Sequence, residues 1–349
     1  MRVHRENLLH ELESVQPGLS SREIVEQSSC FIFQNGKVLT FNEEIACTRD
    51  CGMAAEITGA VQAAPLLALL QKLPEDEIDV TLGSGELLIK GKKRKGGIRM
   101  DAEILLSVAA VETPAKWKKL PKDFTDAVSL VQQCAGKDEE KLATTCVHLH
   151  PQWIEACDNY QVARYHTEMG IAKECMVRRD AIKHIVGLGM HKFSETDTWL
   201  HFKNPMGLVL SCRRFLDAYD DLTGFFDVKG KPVVLSKSIA EAVERSAVFA
   251  SDNPEDTQIH VQLRPGKLRV KGVGVSGWFS ETKAVQYSGA ALDFMIPPKL
   301  FMELVRSHHE CIVSDSMLKV EVGKYAYVTV LSRASDSKTE AQPEEADAC

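Results

Sequence analysis

Apolar residues recurring at i, i+3 or i+4 predict amphipathic helices at several points along the chain. Leu8, Leu12 and Val15 make one stripe, Phe124, Ala127, Val128 and Val131 a second, and Ile239, Ala242 and Val243 a third. These stripes recur about every 115 residues. Behind each comes an alternating apolar–polar run, the period of a half-buried strand, and then a tight turn. Phe31 and Phe33 lead into Asn35-Gly36, Val147 and Leu149 into Pro151-Gln152, and Ile259, Val261 and Leu263 into Pro265-Gly266. Gly supplies positive φ in such turns and Pro presets φ near about −65°. A second helical stripe follows in each copy: Leu66, Leu69, Leu70 and Leu73; then Ile182, Ile185 and Val186; then Leu300, Phe301, Leu304 and Val305. Further strands are predicted over 78–89, 199–212 and 311–331.

The same order of elements, met three times, predicts an α+β protein of three tandem units, each with two helices and antiparallel sheets. Connectors rich in Pro and Lys, at 112–121 and 228–232, set the boundaries near 118 and 235. The expected domains are thus 1–118, 119–235 and 236–333. Residues 334–349 carry Asp336, Glu340, Glu344, Glu345 and Asp347 against Lys338, with almost no apolar content, and are expected to be a disordered tail.

Composition narrows the class. In 349 residues, 44% are hydrophobic and 26% charged, which excludes disordered and collagen-like chains. The most apolar stretch, 63–70, falls far short of the roughly 20 residues of a membrane span. Met1-Arg2-Val3-His4-Arg5 leads into a charged amphipathic stretch, unlike a signal peptide. A cytoplasmic protein without membrane contact is expected. The ten cysteines include no Cys-x-x-Cys pair and read as small core residues of a reducing compartment. The net charge of −7 argues against uniform coating of nucleic acid and leaves room for a basic patch on one face.

Motifs with catalytic or metal-binding overtones do not hold up. Gly272-Val-Gly-Val-Ser-Gly277 fits the dinucleotide spacing, yet Trp278 to Tyr287 behind it reads as strand, where that motif needs a helix. Cys146, His148 and His150 share one face of a predicted strand, with no matching partner cluster. His308-His309-Glu310-Cys311 lacks the i, i+4 histidine pair of a zinc protease helix. Neither catalysis nor a cofactor is expected.

Certain residue runs resemble one family. Ala156-Cys157-Asp158-Asn159-Tyr160-Gln161-Val162-Ala163 is similar to a run in the middle domain of the bacterial-type DNA sliding clamp, the DNA polymerase III beta subunit family. Thr40-Phe41-Asn42-Glu43-Glu44-Ile45-Ala46 and Tyr325-Ala-Tyr-Val-Thr-Val-Leu331 resemble its first-domain Thr-Asp-x-Glu stretch and its closing strand. The resemblance spans about 1–333 and is greatest to versions carried by phages. It implies three clamp-fold repeats that pair into a homodimeric ring around duplex DNA. Twelve helices at about 9 Å spacing would make a circle about 35 Å across, leaving an opening of roughly 25 Å once half a helix is subtracted on each side. A duplex fits such an opening without being gripped.

A sliding ring needs weak phosphate attraction from Lys and Arg, blind to base sequence. The candidates are Arg22, Lys137, Lys141, Arg178, Arg179, Lys183, Lys299 and Arg306, all on or beside predicted helices. By the resemblance, Arg22 and Lys137 fall where clamps place DNA-contacting residues. The denser cluster Lys90-Gly-Lys-Lys-Arg-Lys95 falls on a hairpin turn of the family pattern, where DNA contact and simple solvation are equally open readings. The resemblance also implies a groove for short partner peptides, formed by Tyr160, Val162, Phe225, Met317 and Val330. Asn159, Gln161 and Val162 depart there from the usual Gly, Arg and Leu, which puts the usual peptide preference in doubt. The dimer contact would use Ile104, Leu105 and Leu106 on one side and Val248 and Phe249 on the other. The implied function is a non-catalytic processivity factor that tethers a replicative polymerase and is opened by a clamp loader ATPase. The alternative is a scaffold of the same fold that does not encircle DNA.

Overall fold

The first stripe forms a helix because Leu8 and Leu12 turn to one side, where both are buried and where Val15 joins them. In the computed structural model, residues 1–333 are described apart from 24, 108–110, 113, 115, 138–140 and 251–256. The 334–349 tail lies outside the described residues. The chain divides into two compact units, Met1–Asp158 with Arg164–Tyr219, and Asn159–Ala163 with Asp220–Cys349.

In the first unit the chain runs β1 (Arg2–His4), α1 (Arg5–Ser14), β2 (Cys30–Gln34), β3 (Lys37–Phe41), β4 (Ile45–Asp50), β5 (Gly59–Gln62), α2 (Ala63–Lys72), β6 (Glu77–Leu82), β7 (Glu86–Lys90), β8 (Lys95–Asp101) and β9 (Lys118–Lys119). The order then repeats with α3 (Phe124–Val131), β10 (Cys146–Leu149), β11 (Trp153–Cys157), β12 (Gln161–His166, of which 161–163 belong to the second unit), β13 (Cys175–Arg178), α4 (Arg179–Ile182), α5 (His184–Leu188), β14 (Lys192–Glu195), β15 (Trp199–Lys203) and β16 (Val209–Arg213). The β2–β3 turn is built as its sequence requires, with Asn35 at φ 52° and Gly36 at φ 71°. Twelve strands form one sheet, in the order β1-β6-β7-β8-β5-β2-β3-β4-β16-β15-β14-β9. The strands of the two repeats join at the antiparallel β4–β16 pair, with Val209 opposite Thr48 and Cys212 opposite Ile45. Phe41 packs against Trp199 there at 6.0 Å between centroids, and Phe124 stacks on Phe202 at 5.8 Å.

The second unit runs β17 (Lys231–Val234), α6 (Ser238–Ala247), β18 (Ile259–Arg264), β19 (Lys267–Gly274), β20 (Gly277–Ala284), β21 (Leu292–Ile296), α7 (Pro298–Ser307), β22 (Glu310–Val313), β23 (Met317–Val322), β24 (Tyr325–Val330) and β25 (Ser332–Arg333). Its strands lie in the orders β24-β23-β22-β17 and β20-β19-β18-β21-β25. α6 buries Ile239, Ala242, Val243 and Ser246, while α7 buries Phe301, Leu304 and Val305, and the two helices pack together.

Several expectations need correction. The second helix of the middle repeat is split at Lys183 into α4 and α5, because the N–H of Val186 bonds three residues back to the Lys183 carbonyl and tightens the turn. The 228–232 connector already contains the start of β17, where Pro232 is tolerated on an edge strand. Lys118, in the 112–121 connector, stays exposed but also pairs in β9, and its ammonium meets Glu195 at 3.0 Å. Leu106 offers a dimer contact little surface. It is 3% exposed, in a core cluster with Cys30, Ile32, Phe41, Ala60 and Trp199, and Ile104 packs on that cluster; Leu105 is the exposed neighbour.

The glycine motif at 272–277 is a β19–β20 hairpin, with Gly274 opposite Gly277. His148 is a core residue bonded to Glu155 at 2.9 Å and stacked on Tyr219, while Arg164 closes on the other Glu155 oxygen at 2.7 Å. Burial alone would raise the Glu155 carboxyl, but the His148 and Arg164 contacts hold it below the ordinary carboxylate range. All nine cysteines among the described residues are free, and only Cys157 is not buried.

Two predictions test this packing. A Cβ at Gly272 would run into the backbone carbonyl of Ser246 on α6. Gly272→Ala is therefore expected to destabilise the second unit by about 1–3 kcal/mol in urea unfolding, and an unchanged midpoint would contradict the close approach. His201 is buried between Ser211 and Thr196, and burial pushes its imidazole from 6.5 down to about 4. Between those values the unfolded chain takes up a proton that the folded chain refuses, so stability falls as pH falls through that window, by about 3 kcal/mol. His201→Gln should lose that part of the pH dependence; equal slopes for both proteins would assign it elsewhere.

Candidate nucleic-acid interface

β13 ends at Arg178 and the chain passes directly into α4 at Arg179, so two guanidinium groups leave one strand–helix junction. Lys183 lies one helical turn further on, and Lys137 comes from the loop after α3. These four cations line a single cleft of about 440 Å³ in the first unit, together with Gly136, Thr145, Glu44 and Asp180. The basic residues are held in place. Arg178 Nη1 donates to the Thr145 hydroxyl at 2.8 Å, and that hydroxyl donates to the Leu142 carbonyl at 2.8 Å. Arg179 Nη1 donates to the Ala135 carbonyl at 2.9 Å. The two acids temper the charge. The Lys183 ammonium bonds Asp180 at 2.6 Å and holds its carboxyl below the ordinary range, while Glu44 lies 3.3 Å from Arg178 Nε.

The cleft thus gathers Lys137, Arg178, Arg179 and Lys183. Arg22 and Lys141 are exposed in the same unit but do not line it. Lys299 and Arg306 are exposed on α7 of the second unit, where Arg306 pairs with Glu244 at 3.5 Å. In the Lys90–Lys95 cluster the turn is anchored by Arg94, which meets Glu75 at 2.7 Å. Sequence reading missed Glu44 and Thr145. Asp180 carried a signal, an i, i+3 spacing to Lys183 on a helix; Glu44 carried none, since another repeat delivers it.

A second surface lies within the second unit. Tyr160 and Phe225 are 63% and 47% exposed, Val330 is exposed at its edge, and Met317 is paired opposite Val330. The backbone is tied down: the Tyr160 carbonyl accepts from the Val330 N–H at 2.9 Å and from the Thr329 hydroxyl at 3.1 Å, and the Tyr327 hydroxyl donates to Gln161 at 2.9 Å. Val162 is 5% exposed and belongs to the core, so it offers a ligand little surface. Of the expected dimer residues, Val248 is 73% exposed and Phe249 stacks on Phe279 at 6.4 Å.

Among the described residues, no group of three or more His, Cys, Asp or Glu side chains is placed to hold a metal. No helix among them is long and apolar enough to cross a membrane.

No family model matches the sequence, and no curated protein does. Solved structures do match. A DNA polymerase sliding clamp from Pseudomonas aeruginosa superposes with a TM-score of 0.82 at 16% identity, covering 95% of this chain and 99% of that one. A DnaN sliding clamp from Bartonella birtlesii, bound to griselimycin, gives 0.84 at 15% identity over 96% and 99%. A putative DNA polymerase III beta subunit from Eubacterium rectale gives 0.83 at 14% identity over 95% and 98%. The chain has the sliding-clamp fold. The likeness runs nearly end to end in this chain and in each of those clamps.

If duplex DNA enters this cleft, its cations should act singly and without regard to base sequence. Replacing Lys137 or Arg179 by Gln is expected to lower the slope of log affinity against log salt by about 0.9 each for a short duplex, whatever its sequence. An unchanged slope would remove that residue from the interface.

Proposed function

We propose that the protein is a DNA sliding clamp, a processivity factor that encircles duplex DNA and tethers a replicative polymerase. One observation carries the reading: a clamp fold over almost the whole chain, with four basic side chains gathered in one cleft. Three repeats divided near 118 and 235 would give six helix positions per chain, and a twofold homodimer would close them into a ring. Val248 and Phe249 supply an apolar contact for that closure.

DNA attraction would come from Lys137, Arg178, Arg179 and Lys183, with Arg22, Lys141, Lys299 and Arg306 adding charge around the ring. The exposed Tyr160, Phe225 and Val330 suit a short apolar peptide from the polymerase, because aromatic anchors on a fixed backbone gain area at low entropic cost. Tethering then raises the local polymerase concentration without any chemistry by the clamp itself. A closed ring needs an ATP-driven loader to reach DNA without ends.

Topology provides the test. After loading onto a nicked circular plasmid at moderate salt, the protein should stay bound, and it should be lost when the circle is cut once. Binding that ignores the cut and merely falls with salt would replace the ring by a clamp-fold scaffold that holds phosphates from outside.

A further inference from the structure

Glu44 is an acid placed with care inside a basic cleft. It lies in the turn between β3 and β4, and the backbone on both sides of it is pinned. Glu43 takes a left-handed φ of 72°, a conformation that costs a non-glycine residue roughly 1 kcal/mol or more. The Asn42 side chain accepts the N–H groups of Glu44 and Ile45 at 3.2 and 2.8 Å, and its amide donates to the Pro17 carbonyl. The Glu44 carbonyl accepts the Arg213 N–H at 2.8 Å, next to the β4–β16 ladder. The whole turn is thereby over-determined.

Its carboxylate has one ion pair among the described residues, with Arg178 at 3.3 Å. That contact is coulombic rather than an aligned hydrogen bond, for Arg178 Nε is buried and lacks an aligned acceptor. Arg178 is thus positioned by Thr145, neutralised by Glu44, and left with a donor to spare.

We propose that Glu44 is a resident anion that competes with a nucleic-acid phosphate for Arg178 and keeps the cleft's grip weak. A phosphate entering the cleft must displace the carboxylate or share the guanidinium with it. Each engagement therefore replaces one ion pair by another and gains little, and a duplex can move past without being caught. Asp180 tempers Lys183 in a simpler way, as a neighbour on the same helical turn; Glu44 is brought in by a strained turn of a different repeat. The inference rests on the DNA-binding reading above, and the experiment separates the two.

The binding of a fluorescent 24-base-pair linear duplex, read by anisotropy between about 50 and 200 mM salt, needs neither loader nor ring closure. Glu44→Gln should bind more tightly, with a salt slope steeper by about 0.9, worth roughly a further threefold in affinity across that range. Glu43→Gln removes the same charge from the adjacent exposed residue, which has no ion pair with Arg178, and should gain clearly less. In an Arg178→Gln background, Glu44→Gln should gain no more than Glu43→Gln does. A Glu44→Gln gain no larger than that of Glu43→Gln, or one that survives without Arg178, would overturn the competition. Thermal unfolding of each variant, with Glu44→Ala as a second probe of the same carboxylate, guards against misfolding. Wild-type and Glu44→Gln proteins that both failed to bind the duplex at every salt would overturn this role, and protein that also failed to stay on the nicked circle would sink the DNA reading with it.

Discussion

The pairing of β4 with β16 is the constraint on which the first unit depends. Backbone groups from two repeats meet in register from Val209–Thr48 to Cys212–Ile45, and each strand's hydrogen bonds would otherwise be left open at an exposed edge. The ladder fuses two sets of strands into one sheet of twelve, buries Cys47 and Cys212 completely, and presses Phe41 on Trp199. Burial holds both thiols well above their ordinary range, with Cys47 pushed up to about 12, so they behave as apolar filler rather than nucleophiles. The same ladder carries the Asn42–Ile45 turn to Arg178. Without it, the cleft would lose its acidic wall.

Electrostatics in the cleft are arranged for moderation. Arg178 and Arg179 are tied to neutral acceptors, so their positions cost no further ordering when an anion arrives. Lys183 and Arg178 each face a carboxylate, which trims the net field. Partly exposed pairs of this kind are individually weak and screened by salt. They add little to the stability of the fold.

The second unit shows the opposite economy. Tyr160 and Phe225 keep large apolar surfaces in solvent, which a chain has little reason to do on packing grounds alone. Yet the backbone beneath Tyr160 is fixed by bonds from Val330 and Thr329. A rigid support under exposed rings suits recognition, and the deeply buried Val162 supplies the support rather than the surface.

The helical stripes, most of the strands and their repeated order were legible in the sequence by itself. Helix and strand periods, and turns such as Asn35-Gly36, are local properties set by neighbours a few residues apart. The basic character of the 178–183 junction was legible for the same reason. Only the tertiary structure decided which residues meet across repeats. Glu44 reaches Arg178 through a strand pairing that no local pattern announces. Leu105 and Leu106 look alike in the chain, and only packing against Trp199 assigns one to solvent and the other to the core. Lys118 reads as linker until the β9–β14 pairing brings Glu195 to it. Burial and long-range register are properties of the assembled sheet, and they convert a correct list of elements into a site.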